Sequence, residues 1–464
     1  MDYLASMLCL VLAWAGVHLL LSFAKKGNES RLPPGPPPLP IVGNLFSLGS
    51  KPHISLAELA KKYGPIMTLQ LGRVPTVIIS SADVAKEALQ KNNLCFSNRM
   101  VLDGIHALGH HEKSIVWLPV ASQWRNLRKI CNTHVFSISK LDASQSLRRN
   151  KVKDLLKFVK KSSEFGEAVD ISQAAFTTAL NLLASTFFQW IWVTPVPNPQ
   201  GIKRRMSVYF KKLMNLYQTM IDQRLRDNQN SLGSKSDVLD SLLGINQEKI
   251  KEIESPDIPN LLLDLFTGGT DTTSSTLEWA MAELLNNPEK LKKAKAELNE
   301  IIGQGNPIEE PDIVRLPYLQ AVVKETLRLH PPVPLLLPRQ VDSDAQLSGF
   351  TVPKNAQVLI NAWAIGRDPN VWENPNSFEP ERFLESHIDF KGHDFELIPF
   401  DAGRRICPGL PLAIRMLYLM LGSLVNGFDW KLEGGISPGK MNMEERFGIS
   451  LQKAQRLHAI PVCV

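Results

Sequence analysis

Apolar and polar positions along this chain follow two periods, and the helical one dominates. Tyr3 to Ala24 is an almost unbroken apolar run, interrupted only by His18 and a few small polar residues, and it is long enough to cross a bilayer as a helix. Short apolar stretches at Ile66 to Leu71 and Thr76 to Ser80, and a later one around Phe350 to Ile360, predict strands. Most of the remainder repeats at helical spacing, and apolar helices are predicted over Ile258 to Leu285, Leu319 to Leu329 and Leu410 to Leu424. The pattern predicts a mainly α fold with a small β portion, without internal repeats or low-complexity tracts.

The flanks of the first run add direction. Lys25, Lys26 and Arg31 follow it, which places the remaining chain on the cytoplasmic side of a membrane. A cleaved signal peptide is the competing reading, opposed by Asp2 where a basic n-region belongs. Leu32 to Pro40 is proline-rich and stiff, a spacer between anchor and soluble domain; a proline-rich ligand for an adaptor domain is the alternative. The expected organisation is an anchor at 1–24, a basic and proline-rich hinge at 25–40 and one large domain at 41–464. A formal net charge of +6 without runs of like charge argues against nucleic acid as a partner. Cys9, Cys95, Cys131, Cys407 and Cys463 are too few and too scattered for a disulfide framework or a zinc site, which fits a reducing compartment.

The chemistry concentrates near the C-terminus, in Pro399-Phe400-Asp401-Ala402-Gly403-Arg404-Arg405-Ile406-Cys407-Pro408-Gly409. A cysteine at the start of the apolar segment Leu410 to Leu424 is placed where helix N–H groups and the helix dipole favour a thiolate. Glycines let backbone approach a flat ligand, and arginines offer counter-charge to acidic groups on its rim. Cys-Pro-Gly alone also suits a plain capping loop. In the helix predicted over Ile258 to Leu285, Thr267-Gly268-Gly269-Thr270-Asp271-Thr272-Thr273 places two glycines where each costs about 1 kcal/mol against alanine. The fragment reads either as a kinked core helix or as a groove in which Asp271 and Thr272 relay protons.

With Phe400, Gly403, Arg405, Cys407 and Gly409 at the spacing F-x-x-G-x-R-x-C-x-G, the loop resembles the haem-thiolate loop of cytochrome P-450 mono-oxygenases. Glu325-x-x-Arg328, then Pro380-Glu381-Arg382-Phe383, then the cysteine loop follow that family's order. The resemblance spans almost the whole chain, and Trp117 to Ser122 and Asn361 to Asp368 are similar to plant terpenoid-oxidising members, the geraniol hydroxylase group among them.

The resemblance implies the cytochrome P-450 fold and haem b with Cys407 on iron. It implies proton handling for O2 cleavage by Asp271 and Thr272, and a structural network of Glu325, Arg328 and Arg382 behind the haem. Trp124, Arg128, Arg339 and Arg405 match positions that bind the haem propionates, with the Trp as donor. Arg125, Lys129 and Arg404 would form a basic patch for an acidic electron donor, an NADPH-cytochrome reductase flavoprotein. Substrate-contact regions map to Ile105, Trp117, Phe266, Val333, Leu335 and Ile449, mostly apolar, as a small monoterpenol requires. The implied location is the endoplasmic reticulum membrane, single-pass, in contact with lipid.

Two features depart from the family. Between Phe188 and Asn198 only a short link stands where members have several tens of residues, including the helix that roofs the substrate pocket. A splice or gene-sequence artefact, a degenerate copy, and a pocket closed in another way all remain open. Asp401 stands where glycine is usual. Were the backbone there at positive φ, aspartate would cost on the order of 1 kcal/mol, and its charge would lie near the thiolate.

Overall fold

A computed structural model describes residues 32–188, 202–230, 238–247 and 257–463. The apolar run Tyr3 to Ala24, its basic flank and the whole short link after Phe188 lie outside the described residues. The principal helices are α1 (Pro52–Tyr63), α2 (Ser122–Ile130), α3 (Gln145–Phe165), α4 (Ile171–Phe188), α5 (Ile202–Asn230), α6 (Asp257–Asn286), α7 (Pro288–Ile301), α8 (Pro317–Leu329) and α9 (Leu410–Gly427). The long apolar helices predicted from the sequence appear as α6, α8 and α9. Strands are short: β1 (Ile66–Leu71), β2 (Val74–Ile79), β3 (Asn98–Arg99), β4 (Val169–Asp170), β5 (Arg339–Gln340), β6 (Ala345–Leu347), β7 (Phe350–Val352), β8 (Gln357–Ile360), β9 (Phe428–Leu432), β10 (Glu445–Arg446), β11 (Gln452–Lys453) and β12 (His458–Cys463).

The largest sheet has the order β1-β2-β8-β5-β3. β1 and β2 form an antiparallel hairpin, Ile66 opposite Ile79, and β2 then runs parallel to β8, Thr76 opposite Gln357. The stretch Phe350 to Ile360 therefore divides: β7 pairs with β6 in a separate hairpin, while β8 enters the main sheet. At the far edge β3 pairs antiparallel with β5, which sets Arg99 directly opposite Arg339.

Two main apolar clusters organise the molecule. One joins α2, α3, α4, α6, α8 and α9; the other fills one face of the main sheet and includes Val77, Ile79, Val358 and Ile360. α9 is long and apolar enough to cross a membrane, but it is mostly buried in the helical cluster. α6 runs unbroken through Gly268 and Gly269. Packing distinguishes the two glycines: a Cβ on Gly269 would come within 2.9 Å of Leu183 Cδ1 on α4, whereas one on Gly268 would meet nothing within 4 Å.

The proline-rich segment differs from the free spacer expected for residues 25–40. Its described part docks on the edge strand β1: Thr68 N donates to the Pro34 carbonyl (2.8 Å), and Gly35 lies so close to the Thr68 carbonyl that any Cβ would collide with it. Buried Asn44 fastens the return of the chain, donating to the Pro36 and Pro37 carbonyls and accepting from Gln70 N (2.7 Å). An exposed sheet edge needs covering, and this segment covers it. The domain thus begins before residue 41.

Candidate active site

The cysteine loop lies where the two apolar clusters meet. Ile398 and Ala402 belong to the sheet cluster, and Leu397 and Leu412 to the helical one. The loop closes on itself through Cys407 N, which donates to the Phe400 carbonyl (2.9 Å). Gly403 sits at φ +65°, and a Cβ there would lie 2.4 Å from the Leu89 carbonyl oxygen, so only glycine fits. Gly409 caps α9, where an added Cβ would stand 3.8 Å from Cys407 Sγ. The Phe400 ring is half-buried and meets Phe390 edge-on at 5.7 Å.

Burial raises the Cys407 thiol pKa, against the pull of the Gly409 and Leu410 N–H groups and the Arg128 charge. A low-pKa thiolate thus requires a further positive partner at sulfur. Cys131, by contrast, is fully buried and pushed up to about 12, an inert thiol. Cys95 is half-buried and Cys463 exposed, and neither stands at a helix start.

Around the loop gather four guanidinium groups. Arg405 is buried, donates to the carbonyls of Ser97 (2.7 Å), Ile115 and Leu118, and stacks on the Trp124 ring at 4.6 Å. Arg128 donates to the Ile406 carbonyl at 2.5 Å. Arg339 donates to the Phe96 carbonyl (2.7 Å) and to Asp401 Oδ1 (2.5 Å). Arg99, which carries no local signal in the sequence, completes the set by donating to the Leu337 carbonyl (2.8 Å) and to Asp401 Oδ2 (3.2 Å). Burial and mutual repulsion push Arg99 down to about 10 and Arg405 to about 9, so both remain cationic at neutral pH.

This cluster tests the fit of haem. Four cations face one carboxylate, and the buried Nε atoms of both Arg99 and Arg339 have no hydrogen-bond partner. Buried charge without a counter-charge costs several kcal/mol. A dianionic ligand beside Cys407 supplies what is missing, and Asp401 already shows how a carboxylate is received there. The residues fit haem. Trp124, expected as a donor to the ligand, instead gives its N–H to the Ile115 carbonyl (3.0 Å) and supports Arg405 with its ring.

On α6, Thr272 Oγ1 donates to the Gly268 carbonyl (2.6 Å), a back-bond that a threonine hydroxyl can exchange for another acceptor. Half-buried Asp271 has its carboxyl raised above the usual range by burial, so it holds a proton more readily than a surface aspartate. The Glu325 network is closed: Arg328 Nε and a terminal nitrogen each reach Glu325 at 2.7 Å, Arg382 Nε reaches it at 3.1 Å, and Glu379 N adds a fourth bond. Glu325 and Arg328 are essentially inaccessible to solvent.

The expected pocket residues are less uniform. Trp117 and Phe266 are buried, Phe266 against Tyr217 of α5 at 5.6 Å between ring centroids. Ile105 and Val333 are half-buried, and Leu335 packs with Leu56, Met67, Leu69 and Ile78. Ile449 is 82% exposed on the turn between β10 and β11, whereas Leu451 of the same turn is fully buried and half-buried Phe447 stacks on His53. Sequence reading also missed a buried clamp: His110 Nε2 to Asp264 Oδ1 (2.9 Å), Nδ1 to Asn260 (2.9 Å), and Ser114 Oγ and Ile115 N to the same Asp264. The signal was Asp264, a carboxylate set inside the apolar run Leu261 to Phe266.

A family model described as Cytochrome P450 matches residues 33–191 and 189–458, two pieces that meet at the short link. A geraniol 8-hydroxylase of Swertia mussotii is 52% identical over 476 residues, 96% of each chain. A drimenol monooxygenase of Persicaria hydropiper is 49% identical over 496 aligned positions, covering 100% of this chain and 98% of that one. The alignment is longer than the 464 residues of this chain, so that relative carries residues with no counterpart here. A zebra fish cytochrome P450 solved with abiraterone superposes with a TM-score of 0.77 at 26% identity, covering 90% of this chain and all of that one.

Proposed function

The chain belongs to the cytochrome P450 family, and on that footing we propose that it hydroxylates a small apolar terpenoid, a monoterpenol such as geraniol. It is an oxidoreductase, a mono-oxygenase carrying haem ligated through a cysteine thiolate. Cys407 would be the cysteine that holds the iron, and the observation that carries this reading is the surplus of buried cationic charge around its loop. The substrate class rests on relatives named geraniol 8-hydroxylase and on the apolar side chains of Trp117 and Phe266. Electrons come from NADPH through a flavoprotein reductase docking on exposed Arg125, Lys129 and Arg404, and the Tyr3 to Ala24 run holds the domain at the cytoplasmic face of the endoplasmic reticulum.

Bound haem supplies the site of O2 activation, where thiolate donation favours O–O cleavage. The chain's own groups do the rest. Arg99, Arg128, Arg339 and Arg405 would hold the haem carboxylates, and the Glu325 network fixes the framework. Gly268 leaves room at the α6 wall, and the Thr272 hydroxyl and the Asp271 carboxyl hold and pass protons there. Aromatic and aliphatic side chains exclude water from the terpenoid.

The test is turnover of geraniol with NADPH and a plant reductase, read by mass spectrometry, beside the spectrum of the reduced, CO-bound protein. Hydroxygeraniol and a red-shifted Soret band lost in Cys407→Ser are expected. A band that survives Cys407→Ser overturns the ligand assignment. A second reading, a haem- or terpene-binding remnant with impaired catalysis, is supported by the family match breaking at 189–191. It predicts the band without product.

A further inference from the structure

Asp401 stands at φ +64°, a backbone conformation that favours glycine, and its side chain is buried. That conformation costs on the order of 1 kcal/mol for a residue with a Cβ. Its carboxylate is committed on three sides: Oδ1 accepts from Arg339 (2.5 Å) and from Ala402 N (2.8 Å), and Oδ2 accepts from Arg99 (3.2 Å). Arg99 and Arg339 are direct cross-strand neighbours in the β3–β5 pair, a juxtaposition of like charges that destabilises a sheet. Both are almost wholly buried. An anion between them is therefore a structural requirement, and in this chain a side chain supplies it.

We propose that Asp401 is a built-in anion that shares the Arg99–Arg339 pair with the haem carboxylates, so that this chain holds its haem less tightly than the same fold with an uncharged residue at 401. The inference rests on the haem-thiolate reading above. Each arginine gives Asp401 one terminal nitrogen and another to a backbone carbonyl, which leaves the Nε edges as the donors wholly free of a protein partner. An incoming carboxylate meets a pair already half neutralised. Asp401 acts through the arginines, as a positioning residue, and has no part in the reaction itself.

The experiment measures haem loss from the purified, haem-loaded protein to an excess of a haem-scavenging apoglobin, for the wild type, Asp401→Asn and Asp401→Gly. Asparagine keeps the size and tolerance of positive φ while removing the charge; glycine removes charge and strain together and covers a failure of the first variant to fold. Haem loss is expected to slow about tenfold in both variants, the equivalent of one charge-assisted contact regained. The iron midpoint potential should rise with the lost negative charge. A merely structural role moves haem loss the other way. Loss that is unchanged or faster in the variants, with the thiolate-type CO band retained, overturns the role of Asp401 alone. A wild-type chain that takes up no haem overturns it together with the reading on which it rests.

Discussion

On the reading proposed above, Thr272 acts through its hydroxyl. Its 2.6 Å bond to the Gly268 carbonyl is local and replaceable, so removing it costs little stability, whereas the proposed proton delivery would lose its donor. Thr272→Ala should fold, bind haem and oxidise NADPH near the wild-type rate, but release several-fold more hydrogen peroxide per hydroxylated product. Peroxide assays set against product yield check this, and unchanged coupling removes Thr272 from the proton path. Asp271 is next to it in sequence and is raised in pKa by burial, which suits a group that gives up a proton and takes it back. These two were legible because α6 interrupts its apolar pattern with polar residues in only one place near its middle. Arg99 was not legible, since a single arginine after Phe96-Ser97-Asn98 announces nothing until the β3–β5 pairing sets it against Arg339.

At the scale of the element, buried polar clusters fasten helices to loops. Glu325 on α8 binds Arg328 one turn on and Arg382 from the Pro380–Phe383 turn. Glu325→Ala leaves buried Arg328 without a carboxylate, and Arg382 with Glu379 alone, and should destabilise the fold by about 3–5 kcal/mol, visible as loss of the holoprotein on expression or a large fall in Tm. The His110–Asp264 clamp joins the Asp103–Glu112 segment to α6. Burial pulls His110 down, but hydrogen bonds to Asp264 and Asn260 and the Asp264 charge outweigh it, so the folded-state pKa is raised above 6.5. A raised histidine stabilises fully below its unfolded pKa, and that contribution is lost as pH rises through the folded value. The Tm difference between wild type and His110→Asn should therefore be larger at pH 5.5 than at pH 8.5. Equal differences at both pH values would show that the clamp is uncharged.

At the scale of the whole molecule, the question is how the substrate chamber closes. α5 lies across the Asp103–Glu112 segment and α6, with Phe210 against His110 (5.2 Å between ring centroids) and Tyr217 against Phe266. Part of a roof is therefore present, although relatives carry residues that this chain lacks and the family match breaks at 189–191. A small alcohol must expel water from the iron to be hydroxylated efficiently. Inserting the additional segment of a relative between Phe188 and Asn198 should strengthen the geraniol-induced spin-state shift and raise product per NADPH. Tight geraniol binding and full coupling by the unmodified chain would mean that α5 suffices.

Sequence alone determined the features that depend on neighbours a few residues apart: the helical periods of α6, α8 and α9, the glycines that the cysteine loop requires, and Cys407 at a helix start. Gly403 belongs to both classes, because its φ of +65° is local to the loop whereas the carbonyl that excludes a Cβ there is that of distant Leu89. Only the tertiary structure decided which charges meet. Asp401 was read as a charge bearing on the thiolate, yet it lies between Arg339, 62 residues before it, and Arg99, 302 residues before it. Docking of the proline segment on β1, the exposure of Ile449 and the reach of His110 to Asp264 are of the same kind. Local propensity is set by covalent neighbours and can be read in sequence order, whereas ion pairing depends on distances that exist only after β3, β5 and the cysteine loop have been packed together.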